Sequence, residues 1–488
     1  MQLVSTRQGL CATPFEAVLC GLAQDGGLFV PQTFPVLARE QWAGFAGQPY
    51  DAISAAVLGQ YFAIPQQTLS RLTQQAYASF TDTKTVPLTH VHGDVYTLEL
   101  FHGPTCAFKD IALQMLPLLL AYSAKQTGAA QKVLILVATS GDTGKAALCG
   151  FADKPDTAIS VFYPNEGVSP AQRLQMATQT GQNVAVFAVE GDFDACQRAV
   201  KTLMGDASFA ASAKEAGYTL SSANSINFGR LAPQIAYYFA AYAQLTEQGR
   251  IAAGEPVDFA VPTGNFGNIL AGWYAKQMGL PVRKLIGASN RNNVLARFFD
   301  TGVYDAGGTL YRTTSPSMDI LVSSNLERLL FELCGRDGQK VQQWMQLQKQ
   351  GQPFDVGAEV LQRMHADFAW GWADDAAVAQ TIARVYREDG VLLDPHTAVS
   401  MHVVDARQTD GVPVVVLGTA SPFKFAADVL SALGQTPCGQ VQADTEALAQ
   451  LCGQAVPEPI AALFSQPVVH DTVLSADALQ DAVLQFVR

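Results

Sequence analysis

The 488-residue sequence has no C-x-x-C pair, no cluster of lysines and arginines, and no apolar stretch long enough to span a bilayer. Its eight cysteines are scattered, so neither a zinc site nor a disulfide framework is predicted, and metal binding has no support. The formal charge of −12 disfavours binding to nucleic acid or to anionic membranes. The first residues also lack the pattern of a secretory signal, so we expect a cytoplasmic protein.

The composition is that of a folded chain, with 49% hydrophobic and 15% charged residues. Because single cores stop growing well below 488 residues, two or three lobes are expected. We predict an N-terminal cap lobe of short amphipathic helices over residues 1–85, a core over 86–430 and a C-terminal closing segment over 431–488. No internal repeat is evident.

The middle of the chain alternates short β-branched runs with longer amphipathic stretches, which is typical of βαβ units. The runs are apolar enough to be buried on both faces, as in parallel sheets. The sequence therefore predicts an α/β fold with mostly parallel sheets covered by helices. The predicted strands cover residues 132–139, 157–163, 183–190, 257–263, 282–289 and 412–419. Residues 325–390 are predicted to be helical.

Lys109 is the first candidate for a chemical role, because it precedes an apolar stretch that is predicted to be helical. Removing its amine from water would lower the pKa and make the neutral amine available to form a Schiff base. Taken alone, this lysine could equally extend its amine to solvent from a helix start. Other motifs must decide between these two interpretations.

Three loops that follow predicted strands supply such motifs. Residues 140–145 and 264–268 are glycine-containing turns that can offer backbone N–H groups to an anion, although each could be a plain tight turn. Gly141 lies too close to Gly144 and Lys145 for a nucleotide-binding P-loop, and Ala146 stands where a magnesium ligand is needed. Residues 417–422 form the third loop. Because ligands bind beyond the carboxyl ends of parallel strands, the loops can converge on one crevice.

Eight ordered segments resemble the threonine synthase family of pyridoxal-phosphate enzymes, which share the tryptophan synthase β-subunit fold, fold type II. They are DGGLFVP (25–31), HGPTCAFKD (102–110), ATSGDTG (138–144), GDFD (191–194), SSANSINFGRLAPQ (221–234), GNFGN (264–268), SPSMDILVSSNLERLL (315–330) and DPHTA (394–398). The resemblance spans nearly the whole chain and implies pyridoxal 5′-phosphate as cofactor.

Carried over position by position, the family pattern implies the following roles. Lys109 holds the cofactor covalently, Thr419 bonds its pyridine nitrogen, and Asp142 lies near its 3′-oxygen. The cofactor phosphate is bound by Gly264, Asn265, Phe266, Gly267 and Asn268. The substrate phosphate is bound by Ser222, Asn224, Ser225, Asn227 and Arg230, although Ser222 to Asn227 could also be a helix-capping cluster. The substrate carboxylate is bound by Ser140 and Thr143.

The expected reaction is γ-elimination and β-replacement on O-phospho-L-homoserine and water, which gives L-threonine and phosphate. Lys109 would act as general base at Cα and then at Cβ, and a mobile subdomain around residues 110–230 would exclude water until the last step. A phospho-lyase that releases 2-oxobutyrate, or a serine/threonine dehydratase, is the alternative. A catalytically silent phosphate-binding protein ranks last, because the lysine and the phosphate loop are both present. The protein is expected to be a monomer or a homodimer.

Overall fold

The computed structural model describes residues 1–139, 141–165, 168–191, 193–407 and 410–488. The strands are β1 (Leu3–Ser5), β2 (Cys11–Ala12), β3 (Phe29–Pro31), β4 (Leu88–His92), β5 (Val95–Glu99), β6 (Lys132–Ala138), β7 (Thr157–Pro164), β8 (Val184–Val189), β9 (Tyr218–Ser221), β10 (Val257–Pro262), β11 (Val282–Ser289), β12 (Val303–Tyr304), β13 (Phe354–Asp355), β14 (Phe368–Trp372), β15 (Val414–Gly418) and β16 (Val473–Leu474). The helices are α1 (Pro14–Cys20), α2 (Arg39–Ala43), α3 (Tyr50–Leu58), α4 (Gln66–Tyr77), α5 (Lys109–Thr127), α6 (Asp142–Phe151), α7 (Pro170–Ala177), α8 (Phe193–Gly205), α9 (Ala207–Glu215), α10 (Phe228–Glu247), α11 (Gly267–Gln277), α12 (Val294–Thr301), α13 (Leu326–Leu333), α14 (Gly338–Lys349), α15 (Ala358–Asp367), α16 (Asp375–Asp389), α17 (Pro395–Asp405), α18 (Ala426–Ala432), α19 (Val441–Cys452), α20 (Glu458–Ala461) and α21 (Leu479–Val487).

Two large sheets organise the described part of the chain. One has the strand order β14-β11-β10-β15-β5-β4, and the other has the order β16-β8-β7-β6-β9. Neighbouring strands in both sheets are parallel, apart from the antiparallel pair β4 and β5. Strands β6, β7 and β10 are buried almost throughout, as expected for strands covered by helices on both faces. The predicted α/β architecture with mostly parallel sheets is confirmed.

The N-terminal region combines helices α1 to α4 with a small antiparallel sheet of β2, β1 and β3. Helix α1 begins with a capping box in which Thr13 and Glu16 satisfy each other's backbone N–H groups. Helices α1 and α3 pack against α10, and α1 and α4 also pack against α5. This region therefore covers the helices that carry the candidate site residues Lys109 and Arg230.

The six predicted strands form β6, β7, β8, β10, β11 and β15, with bounds within two residues of those predicted. The prediction that residues 325–390 are helical was wrong at two strands, β13 (Phe354–Asp355) and β14 (Phe368–Trp372). Among the described residues, β14 pairs only with β11, at the edge of the sheet. Its five residues lie directly between two helices, and the pairing that makes them a strand comes from a distant part of the chain.

The loops that carry the candidate motifs follow β6, β10 and β15 at their carboxyl ends. Helix α5, which begins at Lys109, packs against both α6 and α10. At the other end of the chain, β16 adds to β8 and α21 packs against α9, so the C-terminal segment extends the five-stranded sheet. No helix in the described ranges is long and apolar enough to cross a membrane.

Candidate active site

Lys109 is fixed in place by the end of strand β15. The N–H of Phe108 donates to the carbonyl of Thr419 at 2.9 Å, and the N–H of Ser421 donates to the carbonyl of Cys106 at 3.1 Å. From the first position of α5, Nζ of Lys109 donates to Oγ of Ser317 at 3.1 Å and lies 3.7 Å from Oδ2 of Asp142. The lysine side chain is only 12% exposed. Of the two interpretations of Lys109, solvent exposure at a helix start is therefore excluded.

Burial lowers the pKa of the Lys109 amine to about 8, an effect that the nearby Asp142 carboxylate opposes and that Lys424 and Arg230 strengthen. A lysine in water keeps its proton up to about pH 10.4. The neutral, nucleophilic form of Lys109 is therefore populated much closer to neutral pH than that of an exposed lysine.

Asp142, the first residue of α6, is surrounded by donors. Its Oδ1 accepts from Nζ of Lys424 at 2.7 Å and from Nε2 of Gln172 at 3.0 Å, and its Oδ2 accepts from Oγ of Ser317 at 3.1 Å. Burial alone would raise the pKa of Asp142, but Lys424 and Lys109 hold it well below its usual range. The carboxylate is therefore ionised.

Ser317 links these charged groups to a buried histidine. Its N–H donates to Nε2 of His396 at 3.1 Å, and Nδ1 of His396 lies 2.8 Å from Oδ1 of Asp394. Because Nε2 accepts a hydrogen bond, the proton of the ring lies on Nδ1, and the imidazole is neutral. Asp394 also caps α17 by accepting from backbone N–H groups at its start. The loop that carries Ser317 is thus held by α17.

The loop of residues 264–268 forms a tight turn between β10 and α11. Phe266 has a left-handed φ of 64°, and a Cβ on Gly264 would come within 2.9 Å of the carbonyl oxygen of Ser317. The start of α11 at Gly267 leaves free N–H groups, which is the usual arrangement for binding a phosphate. The amide of Asn268 accepts from Tyr237 and Tyr238, while its buried Nδ2 has no partner among the described residues.

Arg230, on the first turn of α10, is a buried cation without a counter-charge. Its Nη1 donates to the carbonyl of Ala223 at 2.5 Å, but no ion pair and no partner for its Nε are found in the described part of the chain. Burial lowers the pKa of this guanidinium to about 10. Such an arrangement is costly unless an anion completes it.

The remaining predicted substrate residues lie around Arg230 and at the start of α6. Oγ of Ser222 accepts from the N–H of Asn224 at 3.2 Å, and Ser225 lies beside Gly267 of the loop of residues 264–268. The Asn227 side chain caps α10 and donates to the carbonyl of Val18 at 2.9 Å, so the capping interpretation holds for this residue. Thr143 is the second residue of α6. Ser140 lies outside the described residues.

The sequence did not predict Ser317, Lys424 and Gln172 as residues of the site, and no role was predicted for His396. Segments 315–330 and 394–398 were part of the resemblance, and they could have directed attention to Ser317 and His396. The position of Gln172 in a helix could be predicted, because Ser169-Pro170 is a typical helix start, and Gln172 belongs to the capping box of α7. Its contact with Asp142 could not be predicted. Lys424 lies two residues beyond the loop of residues 417–422, and nothing in its local sequence marks it.

These residues fit pyridoxal phosphate. A phosphate group suits the N–H groups at Gly267 and Nδ2 of Asn268, which has no partner among the described residues, and an aldehyde suits the desolvated amine of Lys109. Thr419 is 6% exposed at the end of β15, and its carbonyl bonds the turn that carries Lys109. No cluster of His, Cys, Asp and Glu that could hold a metal ion occurs within the described ranges.

Comparisons with family models, with individual sequences and with solved structures all point to the same family. Three family models match: threonine synthase N terminus over residues 2–77, pyridoxal-phosphate dependent enzyme over 80–344, and threonine synthase C-terminal over 397–487. The chain is 42% identical to threonine synthase of Pseudomonas aeruginosa over 442 residues, 90% of this chain and 92% of that protein. It is also 42% identical to human threonine synthase-like 1 over 430 residues, 86% of this chain but only 58% of that longer protein.

A solved structure of threonine synthase from Brucella melitensis with pyridoxal phosphate bound is 38% identical. It superimposes with a TM-score of 0.90, covering 100% of both chains. Together with the Lys109 pocket, these matches define a pyridoxal-phosphate-dependent enzyme of fold type II. Within that class, the chain belongs to the threonine synthase family.

Proposed function

We propose that the protein converts O-phospho-L-homoserine and water to L-threonine and inorganic phosphate, a step of threonine biosynthesis. One observation carries the proposal: the desolvated amine of Lys109 lies near enough to Arg230 for the guanidinium to lower its pKa, and Arg230 is a buried cation that lacks a counter-anion in the described part of the chain. The pair suits a substrate that combines an amino acid with a phosphate group. The relative from Pseudomonas aeruginosa carries the name of this activity.

Lys109 moves the protons in this mechanism. Lys109, Thr419 and residues 264–268 would hold the cofactor, which would withdraw electrons from the substrate's Cα. With its amine free, Lys109 takes the proton from Cα and later serves as general base at Cβ. Ser317, at 3.1 Å from its amine, and Asp142, at 3.7 Å, orient it for both transfers.

Arg230 binds the substrate phosphate through charge-assisted hydrogen bonds, with Ser222, Asn224 and Ser225 as further donors. Asn227 supports this segment by capping α10. Thr143 and Ser140 bind the substrate carboxylate near the start of α6, where the helix dipole favours an anion. Phosphate leaves from Cγ, Cγ gains a proton to become the methyl carbon, water adds its hydroxyl at Cβ, and a proton returns to Cα.

Water must be excluded until that last step. The core of residues 86–430 contains four strands of the five-stranded sheet, β6, β7, β8 and β9. A subdomain around residues 110–230 closes over the substrate. The cap lobe of residues 1–85 and the closing segment of 431–488 support this core. A net charge of −12 disfavours binding to nucleic acid and to anionic membranes. In this proposal the enzyme is cytoplasmic and acts as a monomer or homodimer.

The test is to supply purified holoenzyme with O-phospho-L-homoserine and to identify the carbon product by NMR while phosphate is assayed. Equal amounts of threonine and phosphate are expected. If 2-oxobutyrate forms with phosphate, the protein is a phospho-lyase, and the proposed addition of water is wrong. If neither product forms from the phosphorylated substrate while threonine or serine is dehydrated, the proposed role of Arg230 is wrong.

A further inference from the structure

Lys424 is a second lysine bound to Asp142. It lies in the 3-10 turn Pro422–Phe425 that follows β15, and its side chain is 1% exposed. Its Nζ donates to Oδ1 of Asp142 at 2.7 Å and to the carbonyl of Thr105 at 3.0 Å. Thr105 is itself fixed, because its N–H and hydroxyl both donate to Asp110. Lys424 is therefore held rigidly, within reach of the residues around Lys109.

The two lysines approach different oxygens of one carboxylate. Lys109 faces Oδ2, directly at 3.7 Å and through the Ser317 hydroxyl, whereas Lys424 takes Oδ1. With all three groups charged, the net charge is +1. A buried cation is costly to retain, so a second lysine requires a purpose beyond packing.

We propose that Lys424 is a positioning residue that neutralises Asp142, so that the carboxylate can orient Lys109 and the cofactor's 3′-oxygen without holding Lys109 as an ammonium ion. The inference rests on the proposed contacts of Lys109 and Asp142 with the cofactor, but it does not depend on which substrate is used.

Lys424 affects the protonation of Lys109 by offsetting the negative charge of Asp142. Without Lys424, the only cation in contact with the carboxylate in the described part of the chain is Lys109, and that pairing favours the protonated amine. Lys424 removes this bias and adds direct repulsion, which lowers the pKa of Lys109 further. Other titratable groups face Lys109, Asp142 or Lys424 and stay the same in the variants below: they are Cys106, Asp110, Lys145, Arg230, His396 and, through Cys106, Glu458.

The experiment is a pH titration of the visible absorption band of the cofactor bound to Lys109, in wild type and in Lys424→Met. Borohydride trapping and mass spectrometry of the Lys109 peptide first establish that the cofactor is attached in each protein. Removing a positive charge beside the linkage should stabilise its protonated form, so the midpoint should rise by about one pH unit or more. Lys424→Arg, which keeps the charge, should titrate close to wild type.

Two further variants test the coupling. Asp142→Asn should lower the midpoint, and Asp142→Asn combined with Lys424→Met should return it toward the wild-type value, because the paired charges leave together. Lys276→Met is the matched control, since it removes a lysine from an aspartate pair of the same 2.7 Å length, with Asp367, near the far end of α11. Its midpoint should not change.

An unchanged midpoint in Lys424→Met with the cofactor attached would overturn the inference, even if the melting temperature falls, because a purely structural lysine predicts that result. If Lys424→Met does not fold, Lys424→Gln, which is neutral but keeps an N–H donor, replaces it with the same two outcomes. A wild-type protein that attaches no cofactor at Lys109 contradicts the proposed function and this inference together, whereas the first result contradicts only the inference.

Discussion

The backbone N–H of Ser317 donates to Nε2 of His396 at 3.1 Å, which ties the hydroxyl beside Lys109 to a buried ring on α17. The other ring nitrogen faces Asp394 at 2.8 Å, and Asp394 caps the same helix. The ring is therefore used as a neutral connector. It sets where the Ser317 hydroxyl meets Lys109 and Asp142, although the histidine itself contacts neither.

This relationship predicts the effect of His396→Ala. The part-buried Ser317 N–H would lose its acceptor, which should lower the free energy of unfolding by about 1–3 kcal/mol. The displaced Ser317 should also reduce kcat about tenfold, equivalent to ~1.4 kcal/mol of barrier. Urea unfolding and steady-state kinetics measure the two effects. His396→Gln, whose side-chain carbonyl can still accept, should recover part of both.

His90→Ala is the control for these measurements, because His90 is exposed and its side chain contacts the nearby carbonyl of Gly93 and the ring of Tyr96, away from Ser317. It should leave both quantities unchanged. A His396→Ala enzyme with wild-type kcat would show that the Ser317 hydroxyl does not need this support.

The pKa of Lys109, about 8, predicts how the apoprotein captures pyridoxal phosphate. Only the neutral amine attacks an aldehyde. The rate of capture should therefore rise as pH increases through about 8 and level off above it, whereas an exposed lysine would still gain at pH 10. Stopped-flow absorbance at a series of pH values measures this. A rate that keeps rising to pH 10 contradicts the predicted desolvation.

Lys109→Ala should abolish turnover, with a loss of at least about a thousandfold, because the proton transfers at Cα and Cβ lose their base. The far-ultraviolet circular dichroism should be unchanged, since Asp142 keeps its bond to Lys424. Turnover near the wild-type rate would mean that another group is the base.

The variant Arg230→Met tests whether Arg230 contributes to substrate binding or to the stability of the fold. Because Arg230 is buried without a counter-anion in the described structure, the phosphate-free variant should be as stable as wild type or more stable. Its kcat/KM should fall about 10- to 100-fold, as expected when a hydrogen bond to a charged group worth ~1.5–3 kcal/mol is lost. Inorganic phosphate should raise the melting temperature of wild type only.

Arg328→Met is the matched control, since Arg328 is equally buried but donates to Asn325 and to the carbonyls of Phe29 and Ile226. It should destabilise the protein by about 2 kcal/mol or more, because three acceptors lose their partner. If Arg230→Met is destabilised to the same extent, Arg230 is a structural residue.

The part of the site that could be predicted from the sequence is the part carried by local patterns. The turn of residues 264–268 and Thr419 adjoin strands that are visible as apolar runs, and Lys109 precedes the apolar stretch that forms α5. Parallel strands bring such ends to one edge, so their proximity follows from the fold class.

The residues that were missed owe their places to contacts between distant parts of the chain. Lys424 and Asp142 are 282 positions apart, and Ser317 and Asp142 are 175 apart. Those contacts depend on which strands are neighbours in the sheet. The order β10-β15-β5 cannot be predicted from the local sequence of any one segment. The same reason explains why β14 was taken for helix, since the one strand that pairs with it in the described structure is β11.

Gly264 gives the last prediction, because the close approach of two loops requires that it has no side chain. A Cβ there would lie 2.9 Å from the carbonyl oxygen of Ser317, so Gly264→Ala must push apart the phosphate loop and the Ser317 loop. Overpacking of this kind costs about 1–3 kcal/mol. Part of that cost should appear as an affinity for pyridoxal phosphate that is weaker by about tenfold or more. Equilibrium titration of the apoprotein measures it.

Gly205→Ala is the control, since a Cβ at that helix end meets nothing within 4 Å. It should leave cofactor affinity unchanged. The strain at Gly264 acts on Ser317 as well as on the phosphate, so the Gly264→Ala holoenzyme should also lose kcat at saturating cofactor. The Gly264→Ala variant could instead bind the cofactor more weakly but keep the wild-type kcat when saturated with it. That result would mean that the Ser317 carbonyl moves without disturbing the Ser317 hydroxyl. The two loops would then be coupled less tightly than their contact implies.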